Sequence, residues 1–457
     1  MFFIEKNEFT IPLHLVTEAQ WTETKLQLAA GRLNWLELQG FKGKAGQFVL
    51  MPDDEGHVAE VWVGFDSSEG YTWALGQLPS QLPSGEYALS GDWLEDQVEQ
   101  LALGWGLGSY RFEQFRKPDT KISPLLHLPE QHQERVRAIV EAIHWVRNLV
   151  NTPANHMMPY DLEQAMSRLA EVHEAQFRSI VGQSLLTQNF PAIHAVGRAS
   201  VHAPRLLELN WGDESDPRVC LVGKGVCFDT GGLDIKPSSA MRLMKKDMGG
   251  AAHVLGLAKL IMQLELPVRL QVLVPAVDNA IGGDAFRPGD VLSTRLGKTV
   301  EVDNTDAEGR LILCDTLAYA VESDPEVIID FATLTGAARI ALGTEIPVFF
   351  TNDRSLMQQL QAAATRCNEL IWNLPLHKPY FEKLKSSVAD LSNSGDSYGG
   401  AITAALFLNE FVPAQVPWAH FDVMAWNLRA RPGRPIGGEA MGLLAVFNYL
   451  EMNFAAD

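Results

Sequence analysis

Three short stretches of this 457-residue chain combine carboxylates, cations and glycines at spacings that suit chemistry. The first, Val222 to Pro237, reads Val-Gly-Lys-Gly-Val-Cys-Phe-Asp-Thr-Gly-Gly-Leu-Asp-Ile-Lys-Pro. It follows an aliphatic run of strand type, so it sits where α/β sheets place their ligands. Gly223, Gly225, Gly231 and Gly232 let backbone approach a bound group, and Lys224, Asp229 and Lys236 interleave with them. A turn with solvated charges reads the same way on this stretch alone. A phosphate cradle does not, because Gly-x-x-x-x-Gly-Lys-Ser/Thr is missing. The second stretch, Leu243 to Ala252, sets Asp247 just before Gly249-Gly250 and an apolar helix, a place where Asp also serves as an N-cap. Met244 and Met248 suit core or pocket wall. In the third, Asn304-Thr-Asp-Ala-Glu-Gly-Arg-Leu311, Asp306, Glu308 and Arg310 alternate, so an extended backbone puts them on one face. Two carboxylates and a guanidinium ahead of a helix N-terminus make a hard-cation site beside an anion site. A degenerate EF-hand loop from Asn304 to Asp315 has only its glycine right, and an exposed ion-paired turn would explain the third stretch only in isolation. Together the stretches point to a carboxylate-bridged two-metal site.

Other chemistries fit less well. Among twelve histidines, His173-Glu174 opens a zincin motif, but Phe177 stands where its second histidine belongs. Gly395-Asp-Ser397-Tyr-Gly399 matches a nucleophile elbow, yet the polar Leu391-Ser-Asn-Ser394 precedes it where a hydrophobic strand is required. The balance of 37 Lys+Arg against 56 Asp+Glu, a net charge of −19, disfavours nucleic acid and anionic membranes as partners. No apolar run approaches a bilayer-spanning length, and Met1 to Leu15 lacks a signal-peptide core, so no membrane partner is expected. The four cysteines, Cys220, Cys227, Cys314 and Cys367, form no Cys-x-x-Cys pair, which points to a reducing, cytoplasmic setting.

These residues need a scaffold. To about Leu128 the chain mixes β-like runs (Phe48 to Leu50, Val61 to Gly64) with a helical stretch from Asp92 to Leu103. The turn chemistry of Pro118 to Lys121 with Ser123-Pro124 marks an exit from this unit. Apolar residues recur at helical spacing from Glu134 to Val150, stopped by Asn151-Thr152-Pro153, and a further helix begins near Asp161, which can cap it. Strand-like runs at Leu206–Trp211, Val219–Val222, Val268–Val274 and Val327–Asp330 then alternate with helices at Ala251–Leu264 and Leu311–Val321. The fold class is α/β: a C-terminal doubly wound α/β/α catalytic domain (151–457), a linker helix (129–150) and a smaller N-terminal α/β domain (1–128).

The constellation resembles that of the leucyl (cytosol) aminopeptidase family of dinuclear metallopeptidases. The resemblance rests on Lys224, Asp229, Lys236 and Asp247 in register and on the unbroken Asn304-to-Leu311 octapeptide. Leu149-Val-Asn-Thr-Pro-Ala-Asn155, Asp330-Phe-Ala-Thr-Leu-Thr-Gly-Ala337 and Gly400-Ala-Ile-Thr-Ala-Ala405 extend it over roughly residue 100 to the C-terminus. It implies that Asp229 and Glu308 bridge two divalent ions, zinc or manganese with magnesium or cobalt as further candidates. Asp306 would complete the more exchangeable site, and Lys224 and Asp247 the tighter one, with the Lys224 pKa lowered by the cations. Lys236 would polarise the scissile carbonyl, and Arg310 would hold a bicarbonate as general base. A metal-bridged water would be the nucleophile and the ions would anchor the free α-amino group, which makes an exopeptidase. Met244, Asn304, Thr333, Leu334, Gly336 and Ala440 match positions lining the first-residue pocket, which favours leucine-like side chains.

The resemblance further implies a homohexamer whose sites face an interior cavity, and hence short peptide substrates. Two departures stand out. Cys227 replaces the expected threonine near Asp229, exposing the site to oxidation, and Glu439-Ala-Met-Gly442 replaces Gly-Ala-Thr-Gly. Met441 turned inward would narrow the pocket, whereas Glu439 at its rim would favour basic first residues. The competing readings are a DNA-binding regulatory role, opposed by the net charge, and a two-metal phosphohydrolase, which gives no reason for a lysine ligand.

Overall fold

The computed structural model describes residues 2–5, 10–117 and 122–455, except for the side chain of Glu69. The exit turn expected at Pro118 to Lys121 therefore lies outside the described residues. The chain divides into two compact units, Met1–His144 with Arg429–Ile436, and Trp145–Leu428 with Gly437–Asp457. Among the described residues no helix is long and apolar enough to cross a membrane.

The first unit is built on a six-stranded sheet in the order β1-β6-β5-β2-β4-β3. Its strands are β1 (Phe3–Ile4), β2 (Ile11–Val16), β3 (Phe48–Pro52), β4 (Val58–Gly64), β5 (Glu86–Leu89) and β6 (Leu125–His127). All neighbours are parallel except β3 and β4. Trp21, Phe41 and Trp62 meet edge to face over part of this sheet, with centroids 5.1–6.3 Å apart. The helix expected over 92–103 runs Glu95–Gly108. It continues through its glycines because they are contact points: a Cβ on Gly104 would fall 1.6 Å from the Thr72 carbonyl oxygen.

The helix expected from Glu134 starts earlier and spans Glu130–Asn151, and the division between the units falls inside it. The next helix is Pro159–Val172. Asp161 is not its N-cap but lies in its first turn, where its carboxylate accepts the Met158 N–H at 2.9 Å. Proline at the first helical position moves the start two residues upstream of the expected cap.

The second unit carries a nine-stranded sheet whose main path is β16-β15-β18-β14-β9-β11-β8-β7, with β10 added on β11. In chain order these are β7 (Gln176–Val181), β8 (Arg205–Trp211), β9 (Arg218–Gly223), β10 (Gly225–Asp229) and β11 (Arg269–Asn279). They are followed by β14 (Val327–Ala332), β15 (Val348–Thr351), β16 (Trp372–Asn373) and β18 (Trp418–Asp422). A side sheet joins β12 (Val291–Ser293), β13 (Thr299–Glu301) and β17 (Leu391–Ser392). The centre β18-β14-β9-β11 is parallel, and antiparallel pairs flank it at β15–β18, β11–β8 and β8–β7.

Strand β9 shows the layering. Cys220 and Val222 face the core cluster that contains Leu311, Ile312 and Leu317 of helix Glu308–Val321. Gly223 faces Val254 of helix Gly249–Gln263 on the other side. Helices therefore cover both faces, as the doubly wound α/β/α expectation requires. One expectation changes: Gly225–Asp229 is a strand, not a loop, and pairs in parallel with the last third of β11 after β9 has used the first part. Lys224 is the joint between β9 and β10. Its N–H donates to the Phe331 carbonyl at 3.0 Å, and its carbonyl accepts the Ala251 N–H at 2.8 Å.

Helix Gly249–Gln263 can approach this joint only because Gly250 has no side chain. A Cβ there would lie 2.0 Å from Phe331 O and 2.8 Å from Lys224 N, both backbone atoms that cannot step aside. Gly250→Ala should cost about 3 kcal/mol or more and lower the thermal midpoint, measured by calorimetry. Gly283→Ala, where a Cβ meets nothing within 4 Å, should leave the midpoint nearly unchanged.

Candidate metal centre

The carboxyl ends of the central strands deliver the site. Lys224 leaves β9, Asp229 ends β10, Asn279 ends β11, and Thr333 follows β14. Lys224 Nζ lies 2.7 Å from Asp247 Oδ2, 3.0 Å from Glu308 Oε1 and 3.1 Å from the Thr333 carbonyl oxygen. Lys236 Nζ lies 2.8 Å from Asp229 Oδ2 and closer still to Asp306 Oδ1. One ligand oxygen from each of Asp229, Asp306 and Glu308 falls within 4.8 Å of the other two. The structure thus brings together six of the seven residues of the expected centre; Arg310, within range of the Glu308 charge, bonds the Asn393 carbonyl instead of a cluster carboxylate. Asp306, Glu308 and Arg310 do not share one extended face. Glu308 is the first residue of helix Glu308–Val321, so Glu308 and Arg310 lie about 200° apart around that helix.

Burial sets the electrostatics. Lys224, Asp229 and Asp247 are 3% exposed and Glu308 1%. Burial raises the Glu308 and Asp306 carboxyls above their ordinary values, and the charge of Asp229 pushes the same way. Burial would also raise Asp247, but Lys224 and Lys246 outweigh it and hold it low. For Lys224, desolvation lowers the ammonium's pKa, while Asp247, Glu308 and Asp229 together raise it beyond the ordinary value. Lys236 is raised by Asp229 and Glu308 against the same desolvation. The carboxylates alone thus favour the charged ammonium, and the lowering that the resemblance implies would have to come from the cations. A cation taking Lys224 as a ligand would displace its proton.

The donor set fits divalent ions. Four carboxylates and two ammoniums leave a formal net charge of −2 in a site where all but Asp306 are largely buried. Glu308 Oε2 is buried with no hydrogen-bond partner, and Asp247 Oδ2 and Asp306 Oδ1 have an ammonium at ion-pair range but no aligned hydrogen bond. Such oxygens are costly unless a ligand takes them up.

Three positioning residues went unnoticed in the sequence. Asn279 Nδ2 donates to Asp229 Oδ1 at 2.9 Å and to the Thr305 carbonyl at 3.2 Å. Asn393 is fully buried: its Oδ1 accepts the N–H groups of Asp303 and Asn304, and its Nδ2 donates to the carbonyls of Asn304 and Ala307. Its own carbonyl accepts Arg310 Nη1 at 2.7 Å. Thr305 Oγ1 donates to the Gly231 carbonyl and ties the first stretch to the third. Asn393 lies in the polar tetrapeptide that argued against a serine elbow, and polarity inside a buried loop was its only signal. Arg310 is buried, burial lowers its pKa to about 10, and its Nε has no partner.

Of the expected pocket residues, Thr333 touches the centre, donating from Oγ1 to Asp247 Oδ1 at 2.8 Å. Met244 is buried, Asn304, Leu334 and Ala440 are half-buried, and Gly336 is exposed. Both departures are corrected by burial. Cys227 is fully buried and its thiol is pushed well up by desolvation, so it is protonated and shielded from oxidants. Glu439 does not reach a rim. It pairs through both oxygens with Arg147, accepts from Asn427 Nδ2, and is 4% exposed.

Met441 is 4% exposed, and its N–H donates to His253 Nε2 at 2.8 Å.

An α/β/α domain with carboxylates and lysines gathered at strand ends fits the class of metal-dependent hydrolases. The model of the cytosol aminopeptidase family catalytic domain matches residues 144–445, and that of the M17 aminopeptidase N-terminal domain matches 11–129. A probable cytosol aminopeptidase of Aquifex aeolicus is 36% identical over 438 residues, 91% of this chain and 89% of the relative. The crystal structure of the cytosol aminopeptidase of Coxiella burnetii is similar at 49% identity and a TM-score of 0.96, covering 99% of both chains. The bottromycin maturation enzyme BotP, in complex with Mn, is similar at 32% identity and a TM-score of 0.88, covering 98% of this chain and 99% of that one. The chain belongs to the cytosol aminopeptidase family and is a metalloexopeptidase of the leucyl aminopeptidase type.

The loop that carries Ala440 depends on a neutral histidine. His253 Nδ1 bonds the Gly249 carbonyl at 2.6 Å while Nε2 accepts from Met441, which assigns the Nδ1–H tautomer. Burial lowers its pKa from 6.5 to about 4. A depressed folded-state pKa contributes stability that is present above pH 6.5 and lost as pH falls through about 4. The loss should approach about 3 kcal/mol in acid, and His253→Asn should flatten the fall between those values in denaturant titrations.

Proposed function

We propose that the chain hydrolyses the first residue, leucine-like by preference, from short peptides at two divalent ions. The observation that carries this is the buried cluster of Asp229, Asp306 and Glu308 oxygens, with Glu308 Oε2 unpartnered. Asp229 and Glu308 would bridge the ions, Asp306 would complete one site, and Lys224 with Asp247 the other. The ions would supply a water nucleophile, a Lewis acid for the carbonyl and an anchor for the α-amino group. Zinc or manganese suits the set, and magnesium or cobalt would compete at Asp306, where carboxylates are the protein's only donors. The domains are read as 1–128, a linker helix 129–150, and a catalytic domain 151–457. The family models' spans of 11–129 and 144–445 support this division. A cytoplasmic homohexamer acting on short peptides completes the reading.

The chain's own groups would divide the remaining work. Lys236 is protonated and reaches into the cluster from a loop, so it is placed to donate to the developing oxyanion once the cations occupy Asp229 and Asp306. Arg310 would hold a bicarbonate that supplies the general base, and its unpartnered Nε supports this. Thr333 and Asn279 keep Asp247 and Asp229 in place as carboxylate ligands.

Exhaustive removal of metal should abolish hydrolysis of leucine amides, and full activity with verified metal loss would refute the reading. Lys236→Ala should lower kcat by roughly 10²–10³ while two ions per chain remain bound, measured by steady-state kinetics with metal analysis. Arg310→Ala should make the rate depend more steeply on added bicarbonate.

A further inference from the structure

Two cations beside the centre have no part in the chemistry above. Lys246 neighbours Asp247 in the chain and is only 1% exposed. Arg339 is half-buried on helix Gly336–Leu342. Neither is ion-paired with a carboxylate among the described residues. Arg339 Nη1 has only the Met424 thioether, at 3.0 Å, a weak acceptor for a guanidinium. Asp247 and Asp422 act on Lys246 from a distance, but both are engaged elsewhere. Asp247 holds Lys224 and Thr333. Asp422 accepts the N–H groups of Leu334 and Thr335 and the Thr335 hydroxyl. A buried cation is normally paired, so Lys246, unmatched and within reach of the Arg339 charge, calls for an anion from outside.

Their position says which anion. Thr333 contacts the centre directly, and the loop that follows it opens to solvent at half-buried Leu334 and exposed Gly336. A Cβ on Gly336 would lie 3.5 Å from Arg339 Nη2, so the guanidinium stands against the bare backbone of that opening. Arg339 and Lys224 both lie near enough to Lys246 for their charges to bear on it.

We propose that Arg339, backed by Lys246, forms a cationic end to the first-residue slot, so that the enzyme accepts glutamate-like first residues as well as aliphatic ones. The inference rests on the aminopeptidase reading above and on Thr333 to Gly336 lining that slot. An apolar stem would lie along Met244 and Leu334, and the side-chain carboxylate would meet the guanidinium at the open end. The bidentate geometry of Arg suits a carboxylate better than a neutral amide. Glutamine, equal in size to glutamate, would leave the cations unmatched.

The test uses the metal-loaded full chain and the amides of glutamate, glutamine and leucine, which have no C-terminal carboxylate to confuse the result. Wild type should show a kcat/KM for the glutamate amide roughly tenfold or more above that for the glutamine amide. Arg339→Met should bring this ratio near one, Arg339→Lys should restore part of it, and Lys246→Met should lower it less. A wild-type ratio at or below one overturns the proposal even if no variant folds, and so does an Arg339→Met ratio equal to that of wild type. If wild type carries two ions and turns over none of the amides, the aminopeptidase reading itself fails.

Discussion

The structure depends on holding four carboxylates and two ammoniums, all but Asp306 largely buried, at the ends of parallel strands. Isolated, any one of these charges would be expelled from the interior or neutralised. Together they hold one another: Lys224 is braced by Asp247 and Glu308, and Lys236 by Asp229 and Asp306. The lysines thus act as counterions to the carboxylates. The excess negative charge is a standing attraction for cations.

The rest of the second unit can be read as the scaffold for that cluster. β9 stops and β10 resumes one residue later, which sets Lys224 at the joint while keeping both segments paired to β11. Thr305, Asn279 and Asn393 then fix the loop of the third stretch to β10, β11 and the side sheet through side-chain bonds to backbone. Rigid placement of this kind favours chemistry that needs ligands set to a fraction of an ångström.

Much of this was legible in the sequence, for identifiable reasons. The alternation of aliphatic runs and helices gave the α/β class, because period and length report burial directly. The centre's residues stood out because ionisable groups among glycines are expensive unless used. What stayed hidden was direction. Glu308 and Arg310 alternate in sequence as a strand's residues would, and only the helix start at Glu308 reveals that they diverge. Glu439 read as a rim charge because its partner is 292 positions away. Asn393 looked like ordinary loop polarity, since a single sequence cannot show that a loop is buried.

The Arg147–Glu439 pair also bears on the order in which the protein can be made. Its members enter the ribosome's exit tunnel far apart in time, and Gly437–Asp457 completes a unit that begins at Trp145. The first unit is likewise closed by Arg429–Ile436. Neither unit can reach its final contacts until translation is nearly over. Until then a guanidinium destined for the interior lacks its carboxylate, and the nascent chain depends on water or a chaperone to shield it. A message broken short of codon 439 would yield a product containing every metal-cluster residue, yet lacking both the carboxylate that meets Arg147 and most of the segment that completes the second unit.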